Sequence, residues 1–205
     1  TYGYLIPSNM FAVTVLGYLE KIERKIYGNG EIAEAAKALK EEVHTAIETI
    51  GKTFTEEFGM VYAYETDGFG MYNLMDDANV PSLLAMNYLG YPSDKEVEAN
   101  TRRLLLSEAN PFYFKGAKAA GIGSPHTPSN YIWHIAMAVQ GLTTGDREEK
   151  RRILENMAAT TGGKGVMHEG FCCEDDTRYT REWFSWANAM YAELFLNYLG
   201  YTLDK

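Results

Sequence analysis

Three stretches of the sequence gather the side chains that acid–base chemistry on a polar, uncharged substrate needs. Residues 59–79, GMVYAYETDGFGMYNLMDDAN, carry Glu65, Asp67, Asp76 and Asp77 among tyrosines and a phenylalanine. Residues 109–129, ANPFYFKGAKAAGIGSPHTPS, hold His126 between Pro125 and Thr127. Residues 161–180, TGGKGVMHEGFCCEDDTRYT, set Glu169 between His168 and Gly170 and run on into Arg181, Trp183 and Trp186 of REWFSW. Carboxylates, histidine and aromatic rings around one mouth suit a carbohydrate: acceptors for hydroxyls, flat rings for a pyranose face, and two carboxyl groups about the scissile bond.

Each residue also has a plainer reading. A glutamate flanked by glycine is a solvated surface group or a catalytic group held on a loop. Asp76, Asp77 and Asn79 stand where they can cap a helix. His134, inside NYIWHIAMAVQGL, reads as a satisfied core histidine, and Glu174, Asp175 and Asp176 as a solvated turn. HEGFC lacks the second histidine of a zinc motif, no calcium-loop spacing occurs and there is no GxSxG. A metal enzyme built on Asp67, Asp76 and Asp77 therefore stays a lesser alternative.

Composition narrows the partners. With 205 residues, 46% hydrophobic and 23% charged, the chain matches one ordinary globular domain with a sizeable core. A net charge of -9 disfavours nucleic acid and anionic membranes, which call for clustered Lys and Arg. No apolar run approaches the roughly 18 residues of a membrane span. The N-terminus TYGYLIPSNM has no basic-then-apolar pattern, so the compartment is unmarked, and the expectation is a soluble chain that leans to the cytoplasm. Cys172 and Cys173 are adjacent, which suits neither a structural disulfide nor a metal site.

The elements that must carry the three stretches read as helices of two kinds. Glu31 to Phe58, Asp94 to Glu108 and Arg147 to Ala159 have one apolar stripe each, with a Ser93/Glu96 capping box before the second: outer helices. Asn9 to Tyr27, Val80 to Leu89, Asn130 to Leu142 and Arg181 to Leu199 are apolar around more of their circumference, the last capped by Thr180: inner helices. Only Val61 to Tyr64 has a strand-like look. Inner and outer helices alternate, and each outer-to-inner connection is about twenty residues, well beyond ordinary bundle loops. The pattern predicts an all-α toroid of helical hairpins, with about seven helices here and the three long loops at one end.

Over nearly its whole length the chain resembles glycoside hydrolase family 125. The resemblance rests on YLIPSNMFAV, YETDGFG, LMDDANVPSLL, YLGY, NPFYFKG, GIGSPHTPSNYIW, MHEGF and YTREWFSWANAMYAEL, in that order. It implies an (α/α)6 fold and a metal- and cofactor-independent, inverting exo-α-1,6-mannosidase acting on a mannose-containing oligosaccharide. Glu169 falls on the general base of the family's HESF-like motif, with Gly170 where serine is common, and His168 would orient it. Asn9, Asp67, Asp76, Asp77, His126, His168, Arg181, Trp183 and Trp186 become the expected substrate-binding residues. The family's general acid is an aspartate ahead of the YLIPSNMF stretch, and that segment would end just before Thr1. The expectation is therefore that residues 1–205 are the C-terminal part of a single catalytic domain, partnered by the missing N-terminal half and without the acid. A helical carbohydrate-binding toroid without turnover is the alternative.

Overall fold

The computed structural model describes residues 1–201. By contacts the chain forms two compact units, Thr1–Leu74 with Pro81–Arg103, and Met75–Val80 with the chain from Leu104 on.

In the first unit, β1 (Tyr4–Leu5) runs into α1 (Ile6–Ile22), which continues as a π-helical turn, Glu23–Tyr27. Pro7 sits in the first turn of α1, where its missing N–H has no helical acceptor to lose. Gly28 ends the π turn at φ 66°, and the Asn29 carboxamide oxygen accepts from Ile32 N–H to cap α2 (Gly30–Ile50). Ala33, Ala36 and Ile47 face inward, and α1 packs on α2 as a hairpin. The chain then turns to strands: β2 (Lys52–Thr55) with β3 (Gly59–Tyr62), and β4 (Glu65–Thr66) between β1 and β5 (Tyr72–Asn73). Helix α3 (Lys95–Leu105) is capped by Asp94, whose Oδ1 accepts from Glu96 and Val97 N–H at 2.9 and 3.2 Å. Ser93 bonds Glu98 instead of closing a capping box.

The second unit contains β6 (Tyr113–Lys115), β7 (Ala120–Ile122), β8 (Tyr131–Trp133), α4 (His134–Leu142), α5 (Arg147–Ala159), β9 (Gly170–Cys172), β10 (Tyr179–Thr180) and α6 (Ser185–Tyr198). Helices α4, α5 and α6 pack on one another. Gly141 permits the approach of α4 to α6, since a Cβ there would lie 2.7 Å from the buried Leu194 side chain. Strand β9 is the middle of the order β10-β9-β8, both pairings antiparallel.

This architecture corrects the all-α (α/α)6 expectation of about seven helices. Among the described residues there are six α-helices and, between them, ten short strands in four small sheets. The long connections are the cause: buried backbone N–H and C=O groups must be paired, and short antiparallel ladders pair them where no helix does. Two inner helices accordingly start late. Tyr131–Trp133 is taken by pairing with β9, and residues 181–184 lie between β10 and α6, so Thr180 is a strand residue and no cap. Residues 80–89 form turns with Ala85 N–H to Ser82 O and Met86 N–H to Leu83 O, ending at Gly90 with φ 87°. Among the described residues, no helix is long and apolar enough to cross a membrane.

Gly123 is the tightest glycine of the second unit. Its N–H donates to Phe112 O, its C=O accepts from Ala78 N–H, and a Cβ would meet Tyr131 O at 2.1 Å. Gly123→Ala should lower stability by about 3 kcal/mol or more, read from the urea midpoint, whereas Gly145→Ala, with nothing within 4 Å, should stay within about 0.5 kcal/mol. Equal midpoints for the two variants would contradict this packing.

Candidate active site

The end of the β8–β9–β10 ladder builds the site. In register, Trp133 faces Gly170 and Gly170 faces Thr180. Glu169 is the residue just before β9, and its N–H reaches Arg181 O at 3.4 Å, one residue past β10. Gly170 is required by the indole beside it: a Cβ would lie 3.0 Å from Trp133 Cδ1 and 3.1 Å from Nε1. That indole N–H donates to Thr127 Oγ1 at 3.0 Å, so the loop bearing His126 is tied to the same ladder. Arg181 adopts φ 44°, a conformation uncommon outside glycine. Its Nε lies 3.5 Å from Glu169 Oε1, and its guanidinium lies 5.4 Å from the Phe184 ring centre.

These groups line a cleft of about 490 Å³ whose walls are Asn79, His126, Trp133, Glu169, Arg181, Phe184 and Trp186. The Glu169 side chain is 15% exposed and that of Arg181 65% exposed, so the carboxylate sits in the wall and the cation at the rim. Asp77 is buried beneath: its Oδ1 accepts from Asn79 N–H at 3.1 Å and its Oδ2 lies 3.6 Å from His126 Nε2. It thus fixes a turn and orients His126, and no helix follows for it to cap.

The other expected site residues are not among those that line this cleft. Asp76 is fully buried, and its N–H donates to Asn110 Oδ1 at 3.3 Å. His168 is fully buried, stacked on Tyr179 at 4.0 Å, with Nδ1–H directed to Glu182 O. Trp183 is exposed and lines no wall of the cleft. Asn9 and Asp67 belong to the first unit. Asn9 donates to Leu5 O at 2.8 Å beside an apolar groove of about 240 Å³. Asp67 closes a turn by accepting from Phe69 and Met71 N–H at 2.8 and 3.0 Å, bonds that hold its carboxyl below the usual range. Among the described residues, no three His, Cys, Asp or Glu side chains converge as a metal site.

Sequence reasoning missed Trp133 and Phe184 as cleft walls, and it read Trp133 as part of a helix. The signal was present in Tyr131-Ile132-Trp133, an aromatic and β-branched run that favours a strand.

Behind the ladder lies His134. Its Nδ1 is 3.0 Å from His168 N and its Nε2 is 3.1 Å from Thr160 Oγ1, with the ring stacked on Phe171 at 4.7 Å. Burial drives its pKa down to about 4, so the imidazole is neutral.

Comparison with known proteins agrees with this chemistry. The family model for metal-independent alpha-mannosidases (GH125) matches residues 1–196. The Meiotically up-regulated gene 157 protein of Schizosaccharomyces pombe is 41% identical over 198 residues, 96% of this chain and 39% of that protein. A Streptococcus pneumoniae metal-independent alpha mannosidase, solved in a non-productive substrate complex with alpha-1,6-mannobiose, is 49% identical with a TM-score of 0.95. The match covers 98% of this chain and 48% of that one. A bacterial glucoamylase complexed with acarbose shares the fold at 14% identity and a TM-score of 0.70, over 97% of this chain and 34% of its own. The chain therefore spans less than half the length of each of these three proteins.

The neutral His134 makes stability depend on pH in a defined window. Its folded pKa, about 4, lies below an unfolded value near 6.5, so between these the unfolded chain binds a proton that the native state refuses. Stability from this group is present above pH 6.5 and is lost as pH falls towards 4, by about 3 kcal/mol in all. His134→Asn should remove that share of the slope in urea midpoints taken from pH 7 to 4. An unchanged slope in the variant would refute the assignment.

Proposed function

The chain belongs to the metal-independent α-mannosidases of glycoside hydrolase family 125, and from that premise we propose that it carries the general base of an inverting exo-α-1,6-mannosidase. The observation that carries the proposal is the Glu169 carboxylate, set in the wall of an aromatic-lined cleft with one edge open to it. The alpha-1,6-mannobiose complex of the Streptococcus pneumoniae relative supports the substrate class.

In this reading a terminal mannose enters the cleft with a pyranose face against Trp186, an exposed ring whose flat apolar surface suits C–H groups. His126, held by Asp77, and the rim Arg181 take hydroxyl oxygens. Glu169 removes a proton from a water as that water's oxygen bonds the anomeric carbon on the face opposite the departing oxygen. The glycosidic C–O bond breaks, its electron pair stays with the leaving oxygen, and a general acid protonates that oxygen. Inverting pairs stand about 6.5 to 9.5 Å apart, room enough for the water. In this reading the chain supplies the base half of the pair, and the acid half comes from the part of the enzyme outside the 48% of the mannosidase that the chain matches.

In the complete protein, Glu169→Gln should reduce kcat on α-1,6-mannobiose by about 10²- to 10⁴-fold, because an amide keeps the shape but accepts no proton. The dissociation constant measured by calorimetry should move little. Proton NMR of the first product should show the β anomer of mannose. Wild-type turnover in the variant would remove Glu169 from the mechanism, and an α anomer formed first would remove inversion.

A further inference from the structure

Glu169 can act as a base only if its main chain is fixed, and its own ladder bond, N–H to Arg181 O at 3.4 Å, is long. The firmer restraint is one residue earlier, at His168 N–H, 3.0 Å from His134 Nδ1. Nδ1 also lies 3.2 Å from His168 O, so the tautomer decides what the contact does. With Nε2 protonated, three bonds form in series: His168 N–H to Nδ1, Nε2–H to Thr160 Oγ1, and Thr160 O–H to Asn156 O at 2.8 Å. With Nδ1 protonated, that N–H turns to the carbonyl, the buried His168 amide loses its acceptor, and two N–H groups face each other. Leaving a buried donor unmade is the costlier arrangement, so the Nε2–H form is the one the site selects. Stacking on Phe171 of β9 holds the ring in that plane.

We propose that His134 is a positioning residue for Glu169, acting through the main-chain amide of His168; the proposal rests on the reading of Glu169 as the base. A phenylalanine or leucine would fill the same volume. What the imidazole adds is one acceptor, aimed at the amide that precedes the base, and a second nitrogen anchored to Thr160, the residue that ends α5.

The test uses the complete protein. Asparagine at position 134 puts its amide oxygen near the place of Nδ1, whereas glutamine puts its head near Nε2 and leaves the His168 N–H without an acceptor. His134→Gln should lower kcat on α-1,6-mannobiose by about 10- to 100-fold with KM within about twofold, the effect of a base displaced by a fraction of an ångström to an ångström. His134→Asn should recover most of that loss. Wild-type kcat in the glutamine variant overturns the proposal, as do equal losses in both variants that follow their melting temperatures. Should His134→Gln fail to fold, Thr160→Val removes the anchor of Nε2–H and should lower kcat in the same sense, and an unchanged kcat there is equally fatal. ¹⁵N-histidine NMR of the wild type separates this proposal from the functional reading: His134 should show a bare Nδ1 and a protonated Nε2 at pH 7. A protonated Nδ1 sinks the proposal whether or not mannobiose is hydrolysed, and inactivity of a wild type with the expected tautomer sinks the mannosidase reading alone.

Discussion

The pairing of β9 with β8 on one side and β10 on the other is the constraint on which the cleft depends. The ladder is only two to three residues long, yet it brings together Trp133, Glu169 and Arg181 from three separate parts of the sequence. Side chains in a strand alternate between faces, so a slip of one residue would exchange those on the cleft side with those on the core side. Phe171, fully buried, and Gly170, pressed against an indole, cannot trade places. Register is thus set by one large and one absent side chain in adjacent positions.

Two polar clusters, one half-buried and one buried, show how the same physics gives opposite charge states. Glu48, in the first unit, is pushed up by burial. It also accepts from Lys52 at 2.9 Å, Tyr91 at 2.7 Å and Tyr62 at 2.9 Å, and together these bonds outweigh burial and hold the carboxyl below its usual range. Among the described residues, no carboxylate bonds His134. Its neighbours are the His168 backbone, the Thr160 hydroxyl and the Phe171 ring, so desolvation wins and the ring stays neutral. The first cluster ties α2 to the β2–β3 hairpin through a charge, and the second ties α4 and α5 to β9 without one.

Much of this was legible in the sequence where a single periodicity ruled. Helix α5 has the bounds Arg147–Ala159 read from its stripe, and α2 was visible from its alternation of Lys and Glu with small apolar residues. The reading failed where apolar residues followed one another without a stripe. In Asn130 to Leu142 such a run conceals a change from strand to helix at His134, because full burial erases periodicity in both. Residues 80–89 are apolar enough for an inner helix, but they form only turns, two closing at three residues and one at four, before Gly90 at φ 87°. The cleft was legible only in part. Glu169 and His126 were named on loops and Arg181 and Trp186 in the segment read as the last inner helix, whereas Trp133 and Phe184 went unnamed. Asp67 looked like a site carboxylate, and in the fold its Oδ1 accepts two N–H groups of its own turn.

The Glu169 side chain and its backbone are held to very different degrees. The Arg181 contact, 3.5 Å long with a guanidinium mostly in water, belongs to the class of ion pairs that contribute less than about 1 kcal/mol. A short, buried, bidentate arginine would have fixed the carboxylate and occupied the lone pairs that a base must offer. The main chain beneath it is confined instead by the ladder, by the indole over Gly170 and by the His168 amide on His134. A group that must accept a proton and then release it needs an oxygen whose position is set by the backbone and whose lone pairs are free. On the proposal that Glu169 is the base, rigidity belongs one bond network behind the carboxylate, and a weak partner at the rim is what the chemistry calls for.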